Sequence, residues 1–285
     1  EQQQLGLLIQ RRASVKPVLL AHQHYDPLSD WLAEQVAEQA PAFEFTFADE
    51  GSWHRFWAIT DPATIGWLQQ VFDQHVPTLY IADGHHRFSS AARLYERLVG
   101  TPRGEQYHSL MCALFPTTAL DIHNFNRVVA YDVPDSPLAL IARLSAWAEL
   151  TPLPGPATPG RSHELTFCLE GEWFAMRWHP AVLARHAEAG LPVLDVSLLN
   201  RCVLQDTLEI QDIRNDHRIS YLEGPRGLEP LERKADRKDG IAFCLHPLSW
   251  DAFFRVIDHG HVLPPKSTWF QPRMKNGLIV QPFHD

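Results

Sequence analysis

Four cysteines in 285 residues are few, and Cys112, Cys168, Cys202 and Cys244 lie far apart. With no Cys-x-x-Cys pair, a zinc ribbon or a thioredoxin-like redox motif is excluded as a local feature. Each thiol sits in an apolar context such as Phe167-Cys168-Leu169, which predicts buried free cysteines in a reducing compartment. Long apolar runs are also missing: no stretch approaches the roughly 18 residues of a membrane span, and no secretory leader is visible. The expectation is a soluble, cytoplasmic chain with no membrane partner. Cations are in deficit, with 25 Lys+Arg against 34 Asp+Glu and a net charge of −9. That balance argues against nucleic acid as a partner, because such binding rests on clustered cations that neutralise phosphates. A small anion needs only one local positive site and is not excluded. No internal repeat, His-Glu-x-x-His helix or glycine-rich loop ahead of a lysine is present, so the common metalloprotease and Walker patterns do not apply.

What is present is a chain 45% hydrophobic and 21% charged, enough to bury a sizeable core over two domains or one elaborated unit. Proline and glycine cluster from Thr151 to Gly160, which reads as a connector between an N-terminal part, 1–150, and a C-terminal part, 161–285. Apolar and aromatic runs predict strands near 54–59, 78–82, 109–115, 120–129, 164–169, 173–178 and 240–245. Helices are expected from Asp61-Pro62 to about Gln74, at 138–147 and 196–204, and from an N-cap at Ser249 to Asp258. The mixed-charge run Glu232–Asp239 reads as a solvated helix face. Short strands with returning hairpins make the fold class α+β.

The segment richest in chemistry is Tyr80-Ile-Ala-Asp-Gly-His-His-Arg-Phe88. Beyond it, apolar residues fall at Phe88, Ala91, Ala92, Tyr95, Leu98 and Val99, the spacing of a helix with one buried face. A strand thus runs through Asp83-Gly84 into a helix N-terminus, where unpaired N–H groups and the helix dipole favour an anion. Gly84 leaves room for close approach to the backbone, while His85, His86 and Arg87 add donors. Asp83 would repel a phosphate unless it holds Mg²⁺ or accepts a proton from an incoming hydroxyl. The alternative reading makes Asp83 a helix cap, the two histidines surface residues and Arg87 the partner of a nearby carboxylate.

Asp83-Gly-His-His-Arg-Phe88 with its Ala-Ala helix resembles the hallmark of domain-of-unknown-function family 1015, found in bacteria and archaea. Supporting segments are His54-Arg-Phe-Trp57, Asn126-Arg-Val-Val129, Leu194-Asp-Val-Ser197, Asp212-Ile-Arg214, Arg218-Ile-Ser-Tyr221 and Leu263-Pro-Pro-Lys-Ser-Thr268. The turn is also similar to the phosphate-binding turn of the ParB/sulfiredoxin superfamily, which includes nucleotide hydrolases, sulfiredoxin and free-serine kinases. The resemblance implies a ParB/sulfiredoxin-like nucleotide-binding core in 1–150, with an additional mixed α/β C-terminal part packing on it. The turn has no cysteine, so sulfinic-acid repair is not expected. Family members carry an N-terminal segment with a His-Glu-Lys-type motif. This sequence opens at Glu1, and Leu5–Ser14 resembles the family just downstream of that motif, so the segment is expected to lie outside it. A carboxylate supplied from there would leave this chain binding ligand but turning over poorly.

The function so implied is nucleotide-dependent phosphoryl transfer, kinase-like, from ATP or ADP to a small hydroxylated metabolite, with free serine as the leading candidate. Asp83 and His85 are the catalytic candidates, with Asp83 also the Mg²⁺ ligand. Gly84, His86 and Arg87 would bind phosphate or nucleotide. Lys266 would offset charge, Ser267 and Thr268 would hydrogen-bond, and His54 would point at the cradle from a neighbouring strand. Each has a structural alternative: a solvent-facing turn for 266–268 and a satisfied histidine for His54. Two rival readings are a non-catalytic nucleotide or anion sensor and a metal-dependent phosphohydrolase using pairs such as His22/His24, His85/His86 or His259/His261. Arg127, Arg214 and Arg218 are anion contacts or buried ion-pair partners, with the structural role expected for at least two. Asp195 reads as a helix cap.

Overall fold

The computed structural model describes residues 6, 10–48, 51–101, 104–130, 136–237 and 240–283. Its contacts divide the chain into two compact units, Glu1–Asp121 with Pro272–Asp285 and Ile122–Gln271. The mixture of helices and short strands is α+β, as the patterning predicts.

In the first unit, β1 (Ala13–Ser14) pairs with a short strand at Gln281–Pro282. β2 (Val18–His22) follows, then α1 (Asp26–Glu38), β3 (Phe43–Phe47), β4 (Ser52–Phe56) and α2 (Pro62–His75). β5 (Tyr80–Asp83), α3 (His85–Leu98) and β6 (Cys112–Pro116) complete it. β2 is buried along its whole length and forms the centre of a three-stranded sheet, order β5-β2-β6. It runs antiparallel to β5 and parallel to β6, and a strand covered on both faces reads as the unbroken apolar run Val18-Leu-Leu-Ala21. α2 starts where Asp61-Pro62 predicts: the Asp61 carboxylate accepts from the Thr64 amide at 2.8 Å, and Pro62 gives up an N–H that the first turn does not need. β2 and α1 are not among the elements expected above, although Asp26-Pro27 repeats the same helix-start signal.

β3 and β4 form a separate two-stranded hairpin. Its alternating positions put Phe43, Phe45, Phe47, His54 and Phe56 on one face, with the Phe43 and Phe56 rings stacked 4.4 Å apart.

The second unit is built on a six-stranded antiparallel sheet. Along the chain come β7 (Asp121–His123), β8 (Phe125–Ala130), α4 (Pro137–Ser145), β9 (Ala148–Leu153), β10 (Glu164–Leu169) and β11 (Glu172–Trp178). After α5 (Pro180–Arg185), a short turn α6 (Asp195–Leu198) continues into a π-helical segment, Leu199–Gln205. β12 (Ile219–Glu223), α7 (Glu229–Asp236), β13 (Gly240–Leu245), α8 (Trp250–Asp258) and β14 (Trp269–Gln271) end the unit. The sheet order is β12-β8-β13-β10-β11-β9. Alternate residues feed two cores. Leu165, Phe167, Phe243 and Leu245 pack with α4 and the π segment, while Val128, Cys168, Ala242 and Cys244 meet Leu231 and Ala235 of α7. Full burial of side chains of this size contributes about 1.5–3 kcal/mol each.

The expected strand 120–129 is broken at buried Asn124, whose amide donates to the Asn126 side chain at 2.5 Å while its carbonyl accepts from Gly224. The expected helix 196–204 is the α6–π segment. Of the mixed-charge run, 232–236 lies in α7, and Lys238 and Asp239 fall outside the described residues. The proline-rich run begins inside a ladder, because Pro152 of β9 pairs with Phe174. β9 is an edge strand, where a proline's missing N–H costs no pairing. The two units therefore meet along the sequence near 121 and 271 rather than at 151–160. Those crossings are themselves strands, β7 and β14, which pair with each other and leave no loop-like composition to read.

Candidate active site

β5 delivers Asp83 to the end of the first unit's sheet, and Gly84 turns the chain into α3. Gly84 has φ +100°, and a Cβ there would lie 2.5 Å from the guanidinium of Arg87. Glycine is required both for the left-handed backbone and for Arg87 to fold back over the turn. The guanidinium donates to Asp83 at 3.3 Å and to the Pro17 carbonyl at 3.2 Å. Pairing of β2 with β5 sets Leu19 opposite Asp83, which brings Lys16, three residues upstream, to 4.0 Å from the carboxylate. Arg273 reaches the same oxygen at 3.1 Å. Three cations thus converge on one half-buried carboxylate. Burial works to raise the Asp83 pKa, but Arg273, Arg87 and Lys16 together outweigh it and hold the group below the usual aspartate value. Lys16 is lowered, first by burial and then by the two arginines, against the pull of Asp83.

Beside this clamp, along the flank of α3, lies a cavity of about 300 Å³. Arg11, Lys16 and Arg87 give it positive charge, and no acidic side chain among the described residues lines it. Ser14, Ser90, Tyr107 and Ser109 add hydroxyls. Ser90 is only 4% exposed, and its hydroxyl meets no hydrogen-bond partner among the described residues; the Arg87 Nε is likewise buried and unmet. A buried polar group without a partner costs about 1–3 kcal/mol, and two such groups on one cavity wall are what a polar ligand would satisfy. Tyr107 and Phe283, with ring centroids 4.9 Å apart, form an aromatic wall.

Of the residues singled out in the sequence, Asp83, Gly84 and Arg87 are brought together, and Arg87 alone of these lines the cavity. Arg87 pairs with a carboxylate as the structural alternative has it, while Asp83 does not cap the helix: the N-cap is Gly84, with no side-chain cap. His85 and His86 open α3, and both are exposed. Desolvation lowers the His85 pKa, with Asp83 opposing and His86 adding to the fall. His54 sits on β4, which is not in the sheet of Asp83. Its ring stacks on Phe45, 5.6 Å away, and its Nε2 lies 3.3 Å from the Ser52 hydroxyl.

Lys266, Ser267 and Thr268 belong to the second unit. The Lys266 ammonium lies 4.8 Å from the centroid of the Phe125 ring, and Ser267 donates to the Pro264 carbonyl at 2.6 Å. Arg127 is buried and donates to the carbonyls of Phe125 and Lys266, while Arg218 grips Asp216 at 2.7 Å; both roles are structural. Asp195 caps nothing: it accepts from the Trp178 indole and the His163 amide, each at 3.0 Å. All four cysteines are free, three of them buried. Among the described residues no group of three His, Cys, Asp or Glu side chains could hold a metal ion. No helix among them is long and apolar enough to cross a membrane.

The residues missed in the sequence are Lys16, Arg11, Ser90 and Arg273. A small signal existed only for Ser90, which lies one helical turn after His86 beside the buried stripe.

The sequence model of a family described as protein of unknown function, DUF1015, matches residues 1–197. The chain belongs to that family. The DUF1015 match contains Lys16, Asp83 and Arg87 and ends before Arg273 and Lys266. No curated protein matches the chain. Similar solved structures include a free serine kinase in complex with AMP, 13% identical, covering 97% of this chain and 85% of that one, with a TM-score of 0.44. A conserved hypothetical protein from Pyrococcus furiosus is 12% identical over 96% of this chain and 87% of its own, with a TM-score of 0.40. SbnI with C-terminal truncation from Staphylococcus aureus is 13% identical over 95% and 74%, with a TM-score of 0.45.

Proposed function

We propose that the first unit binds a nucleotide through its phosphates and transfers a phosphoryl group to a small hydroxylated metabolite, with free serine as the leading acceptor. The observation that carries this reading is the cavity lined by Arg11, Lys16 and Arg87, where among the described residues the buried hydroxyl of Ser90 is unmet and no acid lines the wall. Phosphoryl transfer asks mainly for positioning and for charge that is already in place when negative charge spreads over the transferring oxygens. Lys16 and Arg87 supply that charge, and Tyr107 with Phe283 offers a face for a planar base.

Asp83 is a positioning residue here. Its carboxylate fixes Lys16 and Arg87 and, with its pKa held low, is a weak proton acceptor. His85, kept neutral over a wider pH range by its lowered pKa, is the better group to take the acceptor's hydroxyl proton. Three cations around Asp83 oppose a divalent ion on that carboxylate, so Mg²⁺ does not fit there. That no acid among the described residues lines the cavity wall also favours a second reading, a nucleotide sensor that binds without turnover.

Titration of the full chain with ATP, ADP and AMP, with and without Mg²⁺, tests the binding. Phosphorus NMR with serine and other hydroxylated acceptors then separates kinase from sensor. Saturable nucleotide binding that Arg87→Ala weakens supports the site; binding of none of the three nucleotides removes the reading.

A further inference from the structure

We propose that a second cavity, of about 150 Å³ and contained in the second unit, is a binding site for a small aliphatic carboxylate held by His163 and His246. His163 precedes β10 in a left-handed conformation, φ +67°, which costs a non-glycine residue energy that the surroundings must supply. Asp195 supplies it. This carboxylate, itself largely buried, accepts from the His163 backbone N–H at 3.0 Å, lies 3.7 Å from its Nδ1, and takes the Trp178 indole N–H at 3.0 Å. The imidazole is thereby held beside a carboxylate and charged over a wider range: Asp195 raises its pKa, against partial burial.

Across the same cavity, His246 presents a buried Nδ1 that meets no partner among the described residues. Ser267 lines it as well, on a loop whose neighbour Lys266 is also left-handed, φ +59°, and is pinned through its carbonyl by buried Arg127 at 2.9 Å. Two residues with left-handed backbones held by dedicated partners, and two buried imidazole nitrogens, of His163 and His246, unmet among the described residues, make a built site.

The chemistry of the occupant follows from the lining. Val193, Leu194, Val196, Leu245 and Leu248 give an apolar body. The space equals the share of about five water molecules, too little for a nucleotide. The titratable groups that line it are His163, Asp195 and His246. Asp195 lines the same space, so a phosphate dianion meets about twice the repulsion that a monoanion does. A monoanion with a short apolar tail satisfies the imidazoles and fills the remainder.

The test follows the histidine imidazole NMR signals of the full chain during titration with propionate, L-lactate and inorganic phosphate. Expected are saturable shifts of the His163 and His246 signals with propionate or lactate, and affinity that falls about tenfold per pH unit once His163 deprotonates. His163→Gly, which adopts the left-handed backbone without strain, lowers affinity at least about tenfold and flattens the pH dependence. His246→Phe, which fills the space, abolishes binding. The proposal is overturned if neither carboxylate shifts the two signals saturably, if His163→Gly binds as tightly as the parent, or if phosphate binds more tightly than both carboxylates.

Discussion

The cavity along α3 and the cavity beside His163 manage charge in opposite ways. The first gathers Lys16, Arg87 and Arg273 on a single carboxylate and keeps a surplus of positive charge next to open space. The second sets two imidazoles, one of them paired with a largely buried carboxylate, against a wall of aliphatic side chains. A surplus suits a polyanion such as a nucleotide's phosphates, while a balanced pair suits a smaller, singly charged ligand. Their frames differ in the same sense. The second unit carries a six-stranded sheet with a core on each face, whereas the first has a three-stranded sheet and a separate aromatic hairpin.

The largest expected effect tests the frames. Phe243→Ala, in the centre of the six-stranded sheet, should cost about 3–5 kcal/mol in denaturant unfolding. It should weaken carboxylate binding next to Leu245 and leave nucleotide affinity unchanged at low temperature. A parallel loss of nucleotide affinity would break the comparison. Next in size, Arg87→Ala should lower nucleotide affinity by about 1.5–3 kcal/mol, read by calorimetry, with carboxylate binding unaffected.

Asp83→Asn releases the clamp without emptying it. It is expected to lower kcat more than it raises KM, because the cations lose their fixed positions rather than their charge, and equal kinetics in parent and variant would remove the positioning role.

The pH dependence sharpens the contrast, since the two carboxylates act in opposite directions. With the Asp83 pKa held low, the clamp's contribution to stability is present above the ordinary aspartate value of about 3.9 and is lost as pH falls through the lowered one. With the His163 pKa raised, its pairing with Asp195 contributes below the ordinary histidine value of about 6.5 and is lost as pH rises through the raised one. Melting curves against pH for Asp83→Asn should therefore lose the acid limb, and those for Asp195→Asn the limb near neutrality. The smallest effect is expected from Ser249→Ala, about 1 kcal/mol, since its hydroxyl caps α8 through the Ala252 amide at 3.2 Å.

Much of the second unit's sheet could be read directly. Glu164–Leu169 and Gly240–Leu245 are strands with the bounds that their apolar runs imply, because strands covered on both faces need little else to identify them. Capped helices were equally legible: Asp61-Pro62 and Ser249 mark their starts through side chains adjacent in sequence to the amides they satisfy. β9 was hidden because its proline is tolerated only at a sheet edge, and edge position is not a local property.

The candidate site divides along the same line. Strand, glycine and helix at Tyr80–Arg87 follow from local sterics and periodicity, so the turn and its polar residues were visible in the chain itself. That Asp83 is ringed by Lys16 and Arg273 was not. The first arrives through the register of β2 on β5, and the second lies about 190 residues further along the chain. Local order is set by neighbours a few bonds apart, which any reading of the chain contains. The charge on a cavity wall is set by residues that only the completed fold brings within a few ångströms, where Coulomb interaction and hydrogen bonding decide what the turn can hold.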